Sequence, residues 1–392
     1  MAVISQRMER YQKSMGHVSA LFNSSLNIRR IQDPQACDFM FGNPHEMPLP
    51  GFVAALQQWS APQNKDWFAY KMNEERPRQE LAENLRAIRG MEFKPEDIFL
   101  TTGAFAGLAV TLNAILEPGD EVIFISPPWF FYETLILAAG GVPVRVKIDP
   151  KTFDLNIDTI AAAISTKTRA IIINSPNNPT GKIYPESTLK ELARLLNAAS
   201  SSHRQTIYLL SDEAYCRIIY DGRAFPSPTA FYLNSFLIYT YGKTLLTPGQ
   251  RLGYIALPPN MPEAEMVRQA LFTAQLTTGY ALPNALMQYA LPDLEKLSID
   301  IEHLQEKRDR LVAELRQMGY ELHVPEGTFY LLPRSPVEDD LRFTDRLADE
   351  HIHCLPGKVC EMPGYFRISV TANDAMIDRA LPGFARALKQ AD

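Results

Sequence analysis

Between residues 98 and 258, short apolar runs alternate with stretches whose apolar residues recur at helical spacing. The runs read EVIFIS, VPVRVKI, RAIIIN, TIYLLS, FLIYTY and LGYIAL, rich in Val, Ile and Tyr and bounded by turn residues. Side chains of that kind suit the pleated, packed surface of a strand. Between two of the runs, residues 185–199 set Leu189, Leu192 and Leu195 at helical spacing. Near-continuous apolar strands alternating with amphipathic helices predict an α/β fold: a mainly parallel sheet, of the seven-stranded type, sandwiched by helices. Ligands of such sheets gather at the carboxyl ends of the strands. The carboxyl-terminal part differs. A charged helical pattern over 294–318, the short β runs FYLLP and FRISV, and a further helical pattern over 375–389 predict a smaller α+β unit. The expected division is a large domain over 48–290, with 1–47 and 291–392 forming the small one.

Composition narrows the class. A chain of 392 residues suits two domains, and 46% hydrophobic with 21% charged residues is the balance of an ordinary globular protein. A net charge of −6 offers no basic footprint for nucleic acid or an anionic membrane. The four cysteines, Cys37, Cys216, Cys354 and Cys360, show neither CxxC nor zinc spacing, so no metal is expected. They are too few for a disulfide scaffold, and the expected compartment is the reducing cytoplasm. The opening MAVISQRMERYQK carries charges where an export signal needs its apolar core. The richest apolar stretch, 270–291, is interrupted by Gln275, Thr277, Thr278, Gly279, Pro283 and Asn284, short of the roughly 20 residues a membrane helix requires.

Chemistry concentrates where the apolar runs end. Lys243 follows FLIYTY directly, where apolar surroundings depress an amine's pKa and free it for imine formation. Asp212 ends TIYLLSD, and a carboxylate there can meet a buried cationic ring nitrogen, the partner that pyridoxal-5′-phosphate (PLP) chemistry needs. Tyr215 and Asn178, the latter in the turn SPNNPTG, can each reach a ring oxygen. Gly103 and Ala104 open a helical pattern, so backbone N–H groups and the positive end of a helix dipole face whatever anion lies there. The order GAFAG is not the dinucleotide fingerprint. Trp129, in SPPWFFYE, can stack on a flat ring. Taken singly, each has a plainer reading: a solvated lysine, a helix-capping aspartate, an Asn-Pro turn, a packed aromatic.

Taken together, in this order, the motifs resemble the class I/II aminotransferases of PLP fold type I. The match runs from about Phe41 to the carboxyl terminus through TTGA, PPW, NPTG, SDEAY, TYGK with Arg251 eight residues on, and FRIS. The resemblance implies that Lys243 carries PLP, Asp212 pairs with its pyridinium nitrogen, Asn178 and Tyr215 meet its ring oxygen, and Trp129 stacks on it. Ala104 and Phe105, with Thr240 and Arg251, would hold the phosphate. Arg367, helped by Asn178 and Gly42, would grip the substrate α-carboxylate. Tyr70 would cross to a neighbour's phosphate, which implies a homodimer with shared sites. The implied substrates are an amino acid and a 2-oxo acid.

Departures fall mostly near the substrate. YKMNEERPRQ lacks the glycine usual after the tyrosine, Phe105 replaces a small polar residue, Thr240 replaces serine, and the opening FGNPHEMP differs from the common GEPDF. They leave the cofactor contacts in place and bear on specificity. The same cofactor residues also serve lyases and cyclases, which expel a β- or γ-substituent or close a ring, so that chemistry stands as the alternative to amino transfer. A PLP-fold sensor is a third reading, opposed by an amino-terminal segment without a basic helix-turn-helix pattern. No second arginine is assigned to a distal carboxylate. Arg268 lies on a helical pattern and reads as a solvated face, while Phe22, His45 and Glu46 are candidates for the entrance.

Overall fold

The computed structural model describes residues 3–280 and 283–390. Seven strands form the central sheet: β1 (Ile98–Thr101), β2 (Glu121–Ser126), β3 (Val142–Lys147), β4 (Thr168–Asn174), β5 (Tyr208–Asp212), β6 (Ser235–Thr240) and β7 (Gly253–Ala256). Their spatial order is β1-β7-β6-β5-β4-β2-β3, parallel throughout except that β7 runs against both neighbours. The mainly parallel α/β architecture is the one the alternation predicts.

The apolar runs are continuous because both faces of the sheet are covered. In β4, Ala170 and Ile172 pack beneath the helix Ala104–Ile115, while Ile171 and Ile173 pack beneath the helix Glu186–His203. Strand residues alternate faces, so an apolar residue at every position marks burial on both sides. The second helix meets the sheet through Leu189, Leu192, Ala193 and Leu196, one stripe of a 3.6-residue period.

A smaller three-stranded antiparallel sheet sets Phe366–Ser369 between Leu355–Pro356 and Tyr330–Leu331. The helices Ile301–Met318 and Asp374–Lys389 pack against it through Leu311, Leu315, Ile377 and Phe384. Of the helical pattern expected over 294–318, only 301–318 is helix: the preceding helix Ala285–Leu294 ends where the pattern begins, and Asp300 caps the next by accepting from His303 N at 2.9 Å. The amino-terminal segment touches both parts. Tyr11 donates to Leu137 O at 3.2 Å on the large sheet's side, and Cys37–Asp38 pairs in parallel with Ile352–His353 of the smaller unit. No described helix is long and apolar enough to cross a membrane.

Candidate active site

Three adjacent parallel strands end on polar residues at one edge of the sheet: β4 at Asn174, β5 at Asp212 and β6 at Thr240. Register puts Asn174 opposite Asp212, and the Asn174 amide donates to Asp212 O at 2.9 Å. The edge opens into a cavity of about 460 Å³, closed from the other side by the amino-terminal segment and the small sheet. Clefts of this size at strand carboxyl ends are where α/β folds hold small ligands.

Asp212 is buried, with Oδ2 accepting a 2.5 Å hydrogen bond from the Tyr132 hydroxyl and Oδ1 accepting from Ala214 N at 3.3 Å. Burial pushes its carboxyl up to about 6, against the pull of the Tyr132 hydrogen bond, the Ala214 N–H and the Lys243 charge. Lys243 lies in the short helix Tyr241–Thr244 that follows β6. Its Nζ stands 5.7 Å from the Tyr215 ring centre and 5.8 Å from that of Phe329. Tyr215 is buried, which pushes its phenol well above the ordinary tyrosine value and keeps the hydroxyl a proton donor.

At one end of the cavity the chain makes an anion seat. Gly103, at φ +85°, precedes the helix Ala104–Ile115, whose first N–H groups have no partner within the helix. A Cβ at Gly103 would stand 2.6 Å from Arg251 Nη2 and 3.4 Å from Thr240 Oγ1. Glycine is thus required both by the backbone and by the closeness of the guanidinium. Among the described residues no carboxylate pairs with Arg251, which donates instead to Pro248 O at 2.6 Å.

Arg367, in the strand Phe366–Ser369, is buried at the other end. Its Nη1 donates to Asn178 Oδ1 at 2.8 Å and its Nη2 to Met40 O at 3.0 Å, while its buried Nε has no partner among the described residues. The guanidinium lies 3.9 Å over the Tyr330 ring. Gly42 passes so near that a Cβ there would meet the Phe329 ring at 2.4 Å. A buried cation with no carboxylate partner and an orphaned donor is built to receive an anion.

Of the residues singled out in the sequence, Gly42, Ala104, Phe105, Trp129, Asn178 and Asp212 line the cavity. So do Tyr215, Thr240, Lys243, Arg251, Arg367 and Phe22, with Gly103 directly behind Arg251. Tyr70 is not among them, being 92% exposed on the surface. Glu46 pairs with Lys307 at 3.3 Å, and His45 O accepts from Asn373 at 3.2 Å. Arg268 is held by Asp97 at 2.8 Å and Glu265 at 3.0 Å, away from the cavity. Sequence reasoning passed over Tyr132, Asn174, Tyr330 and Arg30. Of these, Tyr132 carried a usable signal, since it follows Trp129 by three residues and therefore shares its side of a helical turn.

A lysine, a buried acid and an arginine fork gathered at the carboxyl edge of such a sheet define an enzyme that handles amino acids through PLP. The chain belongs to the aminotransferase class I and II family, whose model matches residues 37–384. It is 31% identical over 378 residues to the aspartate/prephenate aminotransferase of Thermus thermophilus, covering 94% of each chain. It is likewise 31% identical over 320 residues to the aspartate aminotransferase of Thermotoga maritima, covering 77% of this chain and 79% of that one. An aminotransferase structure from Eubacterium rectale superimposes with a TM-score of 0.87 at 28% identity, covering 100% of this chain and 97% of the other. The T. thermophilus aspartate aminotransferase with maleate gives 0.84 at 27%, covering 99% and 100%. The protein is a PLP-dependent aminotransferase, and amino transfer is favoured over the elimination and cyclisation chemistry that the same cofactor residues also serve.

Proposed function

We propose that Lys243 is the residue that carries PLP and moves the substrate proton, in a cavity where Asp212 and Arg367 fix the two ends of the reacting pair. The observation that carries this reading is the convergence of those three side chains, from three separate elements, on one cavity. The residues present fit the cofactor: the Gly103 cradle beside Arg251 suits a phosphate, and the buried Asp212 suits a cationic ring nitrogen.

When bound, PLP supplies an electron-withdrawing ring that stabilises negative charge at the substrate Cα. The chain's own side chains do the rest. Ala104 and Phe105 offer backbone N–H groups, and Thr240 and Arg251 a hydroxyl and a charge, to the phosphate. Asp212, ionised, holds the ring nitrogen's proton in place, and the Tyr132 hydrogen bond keeps that carboxylate charged. Asn178 accepts from Arg367 through its oxygen, and its amide N–H₂, with the Tyr215 hydroxyl, would hold the ring oxygen. Trp129, which lines the cavity, would stack on the ring. Arg367, with Gly42 alongside, orients the α-carboxylate, and Lys243 Nζ takes the proton from Cα. The relatives' names put aspartate among the donors to be tried.

We further assign residues 48–290 to a large domain and 1–47 with 291–392 to a small one. In support, Phe52, Ala55 and Trp59 of the helix Pro50–Ser60 share one apolar core with Met287 and Ala290. The working unit is a homodimer in which Tyr70 reaches the partner's phosphate. Four free thiols support a reducing cytoplasm.

The assignment of Lys243 is tested by borohydride reduction of the yellow protein followed by peptide mass mapping. The label should sit on the peptide containing Lys243. Lys243→Ala should take no label and lose on the order of 10³-fold in kcat. A label on any other lysine ends the assignment.

A further inference from the structure

Part of the cavity wall not used by the cofactor or the α-carboxylate is aromatic. Phe22 and Phe41 stack with ring centres 5.8 Å apart and planes 15° from parallel. Phe130 also lines the cavity, as do the polar Arg30 and Asn43. Among the described lining residues the cations are Arg30, Lys243, Arg251 and Arg367. The last three already have tasks under the assignment above.

Arg30 is spoken for within the protein. Its Nη1 donates to Asp38 Oδ2 at 2.6 Å, its Nε donates to Asn27 Oδ1 at 3.1 Å, and its guanidinium lies 5.2 Å over the Phe41 ring. The other oxygen of Asp38 accepts from Met40 N at 3.0 Å. The pair is largely shielded, with side-chain exposures of 17% and 14%. A distal substrate carboxylate reaching the guanidinium would meet Asp38 already paired with it at 2.6 Å, and repulsion from that carboxylate offsets most of the attraction. An apolar ring meets no such cost, and gains from area burial and from edge and face contacts.

We propose that the side-chain subsite reads an aromatic amino acid and the matching 2-oxo acid, with Phe22 and Phe41 as its recognition surface and the Arg30–Asp38 pair excluding a second carboxylate. This rests on Arg367 as the α-carboxylate ligand. The carbonyl that Arg367 Nη2 binds belongs to Met40, the residue before Phe41, so the grip on the carboxylate and the aromatic wall are placed by the same short segment.

The test uses the holoenzyme and two readouts. In calorimetry, 3-phenylpropionate should bind at least about tenfold more tightly than succinate. In single-turnover cofactor conversion, phenylalanine should exceed both alanine and aspartate in kcat/KM by a similar factor. Phe41→Leu should lower the phenylalanine-to-alanine ratio roughly three- to tenfold, whereas an equal fall for both substrates overturns the role of Phe41. Asp38→Asn, which frees Arg30, should raise succinate affinity severalfold, and unchanged affinity refutes the exclusion by the pair. Succinate or aspartate equal to or better than the aromatic ligands, with turnover intact, overturns the proposal while leaving the assigned residues standing. Failure of those residues would look different, because Arg367→Gln should depress every amino acid alike, and undiminished alanine turnover in that variant removes the premise.

Discussion

The hydroxyl of Tyr132 and the carboxylate of Asp212 share a 2.5 Å hydrogen bond in a place where both side chains are buried. Burial alone penalises the charged acid, and this bond is the largest influence opposing it. A PLP enzyme needs the acid ionised, because only a carboxylate keeps the pyridine nitrogen protonated. On the proposed pairing of Asp212 with the ring nitrogen, Tyr132 is a positioning residue that acts through it. Tyr132→Phe should let Asp212 titrate above 6 and weaken cofactor binding at pH 7 by about tenfold, one lost charge-assisted bond. Titrating the apoenzyme with PLP between pH 5 and 9 reads this directly. The acid limb should move to higher pH, and superimposable wild-type and variant curves would show that the bond does not tune the acid.

The same shift makes a statement about stability. Asp212 has a folded value of about 6 against an ordinary value of 3.8, so the folded state holds its proton over a range where the unfolded chain has lost it. Its contribution is therefore favourable below pH 3.8, declines as pH rises, and is gone above pH 6. Two pKa units correspond to about 3 kcal/mol, an upper bound for one buried group. In the apoenzyme, Asp212→Asn should be more stable than wild type by about 1–3 kcal/mol at pH 7.5 and no more stable at pH 4. Urea unfolding at the two pH values checks it. With cofactor the order should reverse, because asparagine offers the ring nitrogen no charge.

Gly103 permits a sharper prediction about the anion seat. Gly103→Ala would place a methyl 2.6 Å from the Arg251 guanidinium at a backbone φ of +85°. The backbone term costs about 1–2 kcal/mol, and the side-chain clash is relieved only by moving Arg251 away from the seat. Affinity for PLP should fall at least about tenfold, with a loss of thermal stability, while affinity for dephosphorylated pyridoxal changes little. Equal losses for the two forms would mean that Gly103 shapes the fold and not the phosphate contact.

What could be read from the chain and what could not divide along physical lines. The central strands were legible because both faces are buried, so that Ile171, Ile172 and Ile173 are all apolar and the run stands out from any amphipathic helix. Lys243, Asp212 and Asn178 stood out because each follows such a run, and in a parallel sheet consecutive strand ends meet at one edge. Asn174 was hidden as the last polar residue of a strand, since its bond to Asp212 O exists only through cross-strand register. Tyr330 was hidden among the aromatics of a β run that pattern alone assigns to a core. The Arg30–Asp38 pair lies in the amino-terminal segment, and its meaning depends on a cavity formed by distant strands. The break before Asp300 escaped notice because an aspartate amid charged residues reads as one more solvated helical position.

Tyr70 allows the dimer to be tested without any structure of it. The ring is 92% exposed, beside Phe68 at 59%, a poor arrangement for a lone chain in water and a reasonable one for a surface covered by a second copy. If Tyr70 completes the partner subunit's phosphate seat, Tyr70→Ala should weaken PLP binding by about tenfold, the worth of one hydrogen bond to a charged group. Co-refolding Tyr70→Ala subunits with Lys243→Ala subunits then separates the two geometries. In a mixed dimer one site combines both defects. The other pairs an intact Lys243 with the intact tyrosine of the opposite chain, and should bind PLP as tightly as wild type. Were Tyr70 to serve its own chain's cavity, every site in the mixture would keep one lesion and no wild-type affinity would return. Recovery of a tight-binding fraction on mixing, absent from either parent alone, is therefore the expected result, and its absence would assign the exposed tyrosine to something other than the cofactor.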